Sequence, residues 1–351
     1  MALSKIDTTN MIEDVPQSKL DNNINFRNII INGDMSIAQR GTSSSNVSTG
    51  YHTCDRWNVI RGAGTLNVSQ ETDAPTGSGF VKSFKFLEAG SGASPSAGDR
   101  NYLQQRIEGQ NLQYLKKGTS SAQQLTLSFH IKATVTGTYI AELFDTDNSR
   151  QVSKTYTVNS SNTWEYKTIT FPADTTGAFN NDNDVSLDVS LYLTAGSNFT
   201  SGTLNTTWNS NTNANRAVGQ VNALASANDL VQFTGVQLEA GTTASDFEFL
   251  PHDVNLQRCL RYYHKVDDYN IGLALNASDG YSCFYQSPVG MRGDIALESG
   301  GSYSVNSGSA GTPAIRTGAF QGQERVNLYN SSSNWTTNAL IEFSGAVSSE
   351  L

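Results

Sequence analysis

Positive charge is scarce in this sequence, and the scarcity excludes a class of partner. Lys and Arg together number 23 against 32 Asp and Glu, which leaves a formal net charge of -9 at pH 7. A nucleic-acid backbone is bound mainly through clustered Lys and Arg, and the sequence shows no such cluster. We therefore expect no nucleic-acid partner.

Long apolar runs are also missing. No segment approaches the roughly 20 consecutive apolar residues that a membrane-spanning helix needs. The opening residues lack the basic and then apolar pattern of a secretory signal. The sequence therefore predicts a protein that is made in the cytoplasm and does not insert into a membrane.

Cysteine is limited to Cys54, Cys259 and Cys283. Three residues cannot all pair within one chain, and none lies at metal-ligand spacing from another Cys or His. We expect plain thiols and no cofactor.

Two acidic pairs have the spacing seen in calcium loops, Asp145 with Asp147 and Asp182 with Asp184. Neither continues into the twelve-residue EF-hand pattern. Solvated turns are the simpler interpretation, and a structural calcium ion is the alternative.

Ser, Thr, Asn and Gly fill much of the sequence, and Gly alone accounts for 30 residues. These residues form helices poorly and turns well. Apolar residues alternate with polar ones over 125–131 and again over 185–191, as in strands with one buried face. The sequence therefore predicts an all-β fold, with two packed antiparallel sheets over residues 27–251. Further strands are predicted over 57–61, 80–87, 139–144, 164–171 and 230–238.

Three other segments flank or interrupt this sandwich. Residues 1–26 have scattered apolar side chains without a period and predict an extended arm. Residues 252–265 predict a helical connector, with Asp253 as its cap. Residues 266–351 return to short strands and predict a smaller β-rich domain. The loop at 194–227 is too polar to belong to a core and is long enough to suggest a function.

Several motifs, in order along the chain, resemble a domain family that is common in bacteriophage tail fibres. They cover residues 28 to 263, and together they are more specific than any one of them alone. The motifs are NIIINGDMSIAQRG at 28–41, Tyr51, DRW at 55–57, TWEYKTITF at 163–171, FTGVQLEAG at 233–241, DFE at 246–248 and QRCLRYY at 257–263.

The resemblance implies a carbohydrate-binding jelly roll in a homotrimeric virion protein that is assembled in the host cytoplasm. It implies no catalytic residues. In such a fibre, residues 1–26 would attach to a tail or baseplate protein, and residues 266–351 would face the receptor, a bacterial surface polysaccharide.

Aromatic side chains in polar loops are the candidates for sugar binding, because a ring can stack on a sugar face beside hydrogen-bonding amides. Trp335, with Tyr329 nearby, is the first candidate and Trp208 the second. Trp208 has an equally simple structural role as the anchor of its own loop. Trp57 and Trp164 lie in predicted strands and are interpreted as core residues.

The leading functional hypothesis is adhesion without catalysis. A tailspike-type enzyme that cleaves the polysaccharide is the chief alternative, and a structural baseplate or adaptor subunit without a receptor is the third. The sequence shows no short repeat of the kind that builds a long β-helix, and this argues against the enzyme.

Overall fold

The computed structural model describes residues 26–274, 280–281, 285–286, 290–292, 296–297, 302–305, 313–320, 323–330 and 340–350. Within this part the chain is almost entirely β-structure. The strands, in chain order, are β1 (Ser43–Ser44), β2 (Gly50–Tyr51), β3 (Asn58–Ile60), β4 (Leu66–Glu71), β5 (Ser83–Glu88), β6 (Arg100–Glu108), β7 (Leu125–Ala133), β8 (Gly137–Asp145), β9 (Arg150–Val158), β10 (Glu165–Phe171), β11 (Val185–Ala195), β12 (Asn209–Ser210), β13 (Leu230–Ala240), β14 (Tyr263–Ala274), β15 (Gly280–Tyr281), β16 (Tyr285–Gln286), β17 (Ala296–Leu297), β18 (Ser302–Val305), β19 (Pro313–Phe320), β20 (Gln323–Asn330) and β21 (Leu340–Ser348).

Two antiparallel sheets form a jelly-roll β-sandwich. The six-stranded sheet has the order β1-β4-β5-β13-β7-β10, and the seven-stranded sheet has the order β12-β9-β8-β11-β6-β3-β2. The predicted all-β fold is therefore confirmed. The described part also contains two α-helices, α1 (Ser197–Thr200) and α2 (His252–Leu260), and three short 3-10 turns at Gly109–Asn111, Gln113–Leu115 and Asn213–Asn215.

The core lies between the two sheets and follows the alternation in the sequence. Leu127, Phe129 and Ile131 of β7 are fully buried in it, as are Leu187 and Leu191 of β11. Burial of a large apolar side chain stabilises the fold by roughly 1.5–3 kcal/mol. Trp57 also lies in this core, as predicted, and its Nε1 donates a hydrogen bond to the carbonyl of Asn32 at 2.9 Å.

Helix α2 begins at His252 and ends at Leu260, so it is shorter than the predicted connector over 252–265. The helical pattern ends early because the next residues have other partners. Arg261 and Tyr262 bind the buried carboxylate of Glu108, and the Arg261 Nη2 lies 2.8 Å from Glu108 Oε2. Tyr263 then starts β14 by pairing with Ser348 of β21.

The C-terminal strands form two further sheets, with the orders β15-β14-β21-β17 and β16-β20-β19, and β18 also pairs with β21. The last described residues of this unit contact the sandwich close to the point where the unit begins. The Ser349 amide donates to the Tyr262 carbonyl at 2.7 Å, and the Glu350 carboxylate pairs with Arg40 and Arg56. The connection to the jelly roll is therefore held at both ends.

Candidate functional site

An open groove, here called the aromatic groove, lies on the outer face of the six-stranded sheet. It has a volume of about 640 Å³, within the range of small-molecule sites. His130 of β7 and Tyr166 of β10 are register partners on its floor, and Gly235 of β13 lies beside them. Phe80, Phe247 and Phe249 complete the set of rings that line it.

The five rings form a continuous series of contacts. His130 lies between Tyr166 and Phe80, with ring centroids 4.9 and 5.4 Å away. Phe80 then contacts Phe247 at 4.9 Å and Phe249 at 5.0 Å. Tyr166 and Phe249 are each 51% exposed, so a ring at either end presents about half of its surface to solvent. Exposed contiguous aromatic surface of this kind usually marks a binding site.

Gly235 makes the close packing of Phe80 possible. It has a φ of +62° at an irregularity in the pairing of β13 with β7, where the register shifts between Thr234 and Gln237. A Cβ at this position would lie 2.4 Å from the tip of the Phe80 ring. Glycine is required both by the left-handed backbone and by the ring that lies against it.

The loop at 244–249 forms one wall of the groove and is tied to the start of the described chain. Glu248 accepts hydrogen bonds from the backbone amides of Phe26 and Asn28, at 2.7 and 2.9 Å. Ser245 donates to Glu239 at 2.6 Å and accepts from the Arg27 side chain at 2.8 Å. These hydrogen bonds hold the wall in place and do not involve the aromatic side chains.

Polar groups accompany the rings. Ser78, Ser128, Ser245 and Asp246 line the same groove, and within the described part of the chain His130 Nδ1 has no hydrogen-bond partner. Burial lowers the pKa of His130, because the charged imidazolium would be poorly solvated among the rings. A neutral imidazole can both donate and accept a hydrogen bond.

Trp164 extends the aromatic surface along β10 and corrects the expectation that it is a core residue. It precedes Tyr166 by two positions and is half-buried, with Nε1 donating to Asp73 at 3.1 Å. The other Asp73 oxygen accepts from Lys132 at 2.7 Å. Alternation in β10 turns Ile169 and Phe171 inward, so Trp164 and Tyr166 lie on the outer face.

The outer face of the seven-stranded sheet is covered instead. The segment between β11 and β13, expected to be too polar for a core, packs Phe199 and Ala217 against Tyr102, Ile140 and Tyr192. A hydrophobic layer thus forms outside the main core. The Arg216 side chain from the same segment binds Glu142 through two hydrogen bonds of 2.7 Å.

Trp208 lies in this covering segment with its ring half-buried against the main core. Its Nε1 donates to the Pro172 carbonyl at 2.9 Å, and the Lys117 ammonium lies 5.4 Å from the ring centroid. The indole thus has internal partners on both its edge and its face. The structure does not bring Trp208 together with the aromatic groove.

The other two predicted sugar-binding residues belong to the C-terminal unit. Tyr329 lies on β20, where its backbone pairs with Ala314 of β19. Trp335 lies outside the described residues. Their proposed roles remain predictions.

The acidic pairs and cysteines are placed as follows. Asp145 binds Lys117 Nζ at 2.5 Å, and Asp147 accepts from Asn180. The described residues contain no group of three or more His, Cys, Asp or Glu that could hold a metal ion. Cys54 and Cys259 are buried free thiols, and Cys283 lies outside the described residues. No helix in the described part is long and apolar enough to cross a membrane.

Comparison with known proteins gives matches to structures only. No family model matches the sequence, and no curated protein does. The tailspike protein 4 enzymatically active domain of bacteriophage CBA120 matches with a TM-score of 0.35 and 14% identity, over 61% of this chain and 22% of that chain. A CBM4 structure matches with a TM-score of 0.32 and 12% identity, over 60% and 98% of the two chains. TmCBM61 in complex with β-1,4-galactotriose matches with a TM-score of 0.31 and 10% identity, over 61% and 99%. The chain spans about a fifth of the tailspike chain.

Proposed function

We propose that this protein is a phage tail fibre, or a related virion receptor-binding protein, that adheres to a bacterial surface glycan through the aromatic groove. The observation that carries the proposal is the series of five contacting rings on an open sheet face, with hydrogen-bonding groups beside them. The virion setting and a homotrimeric assembly come from the resemblance of residues 28–263 to fibre domains.

The chemistry of the groove suits a sugar. One face of a pyranose ring carries C–H groups that pack on an aromatic ring, while its hydroxyl groups need donors and acceptors at the edge. Tyr166 and Phe249 offer exposed ring surface, and His130 and the exposed Asp246 offer polar contacts. The groove therefore has both components of a carbohydrate site.

Adhesion without cleavage is the better proposal for this groove. Glycoside hydrolysis by the usual route needs two carboxyl groups about 5–10 Å apart across the scissile bond. Among the described residues that line the groove, Asp246 is the single carboxylate. A sugar bound here would be held and not hydrolysed.

Residues 1–26 are proposed as the virion attachment arm, and residues 266–351 as a second receptor-facing unit. Three copies of a weak glycan site on one trimer would raise the avidity without any new contact. An adaptor subunit that buries the same rings against another protein is the competing function.

Binding of fluorescently labelled protein to a panel of bacterial strains tests the proposal. Strains that bind the wild type are treated with periodate, which cleaves sugar diols, or with protease. We expect periodate to abolish binding and protease to leave it. Binding that survives periodate and is lost with protease would contradict a glycan receptor and indicate a protein receptor, whereas an adaptor subunit would bind none of the strains.

The site is tested in the same assay with Tyr166→Ala. Loss of a stacking ring costs about 1–3 kcal/mol by analogy with bases stacked on rings, which is roughly a 5- to 150-fold loss of affinity per site. Tyr166→Phe keeps the ring and should bind normally. Val81→Ala removes another exposed apolar side chain, 68% exposed and not part of the groove lining, and should bind the strains normally.

A further inference from the structure

A second cavity lies at the end of the sandwich, between the start of the described chain, the end of β6 and helix α2. Its volume is about 390 Å³, and its lining includes Phe26, Ile29, Tyr114 and Arg258. It shares no lining residue with the aromatic groove. Phe26 and Tyr114 are 57% and 46% exposed, so aromatic surface is accessible at its rim.

Arg258 differs from its neighbour Arg261 in having no counter-ion among the described residues. Arg261 makes two hydrogen bonds to the carboxylate of Glu108, at 2.9 and 2.8 Å. The only hydrogen bond of Arg258 within the described part of the chain is a long one, 3.4 Å from Nη2 to the Asn28 carbonyl, and no carboxylate there lies within 4 Å of it. A guanidinium has five N–H donors, so most of its capacity is unused.

Glu248 acts electrostatically on Arg258 but forms no ion pair with it, because its carboxylate is engaged elsewhere. Both Glu248 oxygens accept backbone amides, from Phe26 and Asn28. Burial lowers the pKa of Arg258, with Arg56 acting in the same direction, whereas Glu248 raises it. A partly buried cation that has no carboxylate within 4 Å among the described residues favours the entry of an anion.

We propose that this cavity binds a carboxylate-bearing sugar residue, such as a hexuronic acid, with the carboxylate on Arg258 and the sugar ring against Tyr114. The planar guanidinium can donate two parallel hydrogen bonds to a carboxylate. The choice of a sugar acid over another small carboxylate rests on the proposed adhesive function. The cavity volume and the adjacent ring of Tyr114 are consistent with one sugar residue.

The test is an NMR titration of the full-length protein with sodium glucuronate, with glucose as the neutral match and glutamate as a carboxylate without a sugar ring. We expect glucuronate to bind at least tenfold more tightly than either of the others. Arg258→Gln should weaken glucuronate roughly ten- to a hundredfold, because a charge-assisted contact is lost. Arg258→Lys keeps the charge but cannot donate two parallel hydrogen bonds, so its glucuronate affinity should lie between those of the wild type and Arg258→Gln.

Equal glucuronate affinity in wild type and Arg258→Gln would overturn the proposal, and so would equal affinity for glutamate and glucuronate. If Arg258→Gln does not fold, Tyr114→Ala takes its place and should weaken glucuronate at an unchanged melting temperature. Unchanged affinity in that variant would also overturn the proposal. Tyr166→Ala should leave glucuronate binding intact, so failure of the aromatic groove and failure of this cavity are distinguishable.

Discussion

The two outer faces of the jelly roll differ in what covers them. On the seven-stranded sheet, the segment between β11 and β13 folds back and buries polar and aromatic side chains together, including Glu142 and Tyr192. On the six-stranded sheet, Tyr166 and Phe249 remain half exposed above a groove. Similar residue types therefore stabilise the fold on one face and are available to a ligand on the other.

This difference shows that aromatic content alone does not locate a binding site. Tyr192 has its hydroxyl 3.0 Å from Glu142 Oε2 and is fully buried, so its polar group is already paired. His130 has an unpaired Nδ1 within the described structure and adjoins an open groove. Exposure of the rings at both ends of the groove, Tyr166 and Phe249, distinguishes the candidate site from the covered face.

The largest expected effect is a loss of stability caused by a substitution on the covered face. Glu142→Ala should leave the Arg216 guanidinium buried without its partner, which costs about 3–5 kcal/mol of the free energy of unfolding. Chemical denaturation measures the loss. Glu71→Ala is the control, since its partner Lys85 is 24% exposed and such pairs contribute about 1 kcal/mol or less. Equal losses in the two variants would contradict the burial of the Glu142–Arg216 pair under the covering segment.

Trp208→Ala should have the next largest effect, and on stability only. Its ring is half-buried and its Nε1 bonds the Pro172 carbonyl, so we expect a loss of about 2–3 kcal/mol, below the cost for a fully buried Trp. Bacterial binding measured below the melting temperature should be unchanged. Loss of binding at full stability would instead make Trp208 a receptor residue.

The smallest effect concerns pH and His130. Its pKa is lowered in the folded protein, so the neutral ring contributes stability that is present above the unfolded pKa of about 6.5 and is lost as the pH falls through the folded pKa. The difference in unfolding free energy between wild type and His130→Gln should therefore shrink as the pH is lowered from 7. A difference that is constant with pH would contradict a buried neutral imidazole.

The comparison with His130→Gln is needed because two buried acids titrate in the same pH range and change the stability in the opposite direction. Burial raises the pKa of Asp55 and of Asp188 to about 6. Their contributions to stability are present below the unfolded pKa and are lost as the pH rises through about 6. Both acids are retained in the variant, so their effects cancel in the difference.

The sandwich could be predicted from sequence where one face of a strand is apolar, as in β7. Strands β6 and β9 were not predicted, because polar side chains such as Gln104 and Gln151 are buried on their outer faces by the covering segment. Gln151, for example, donates to the carbonyl of Thr212 in the covering segment, which is distant in sequence. Alternation alone does not show that a polar loop will pack back on the sheet.

The aromatic groove could be predicted only in part. Its rings come from four separate segments, and the register of β7 with β10 and the bulge at Gly235 bring them together. One signal was present in the sequence: the alternation along β10 places Tyr166 on the face opposite to Ile169 and Phe171. Phe80 falls within the predicted strand over 80–87, but β5 begins only at Ser83, and Phe249 lies outside the strands, so neither residue carries a comparable signal.

A glycan array probed in parallel with wild type, Tyr166→Ala and Trp208→Ala tests most directly the claim that the open face is the adhesive one. We expect the wild type to bind a limited set of glycans, Trp208→Ala to bind the same set, and Tyr166→Ala to lose it while keeping the wild-type melting temperature. An array pattern that Tyr166→Ala retains in full would contradict the assignment of the aromatic groove as the glycan site.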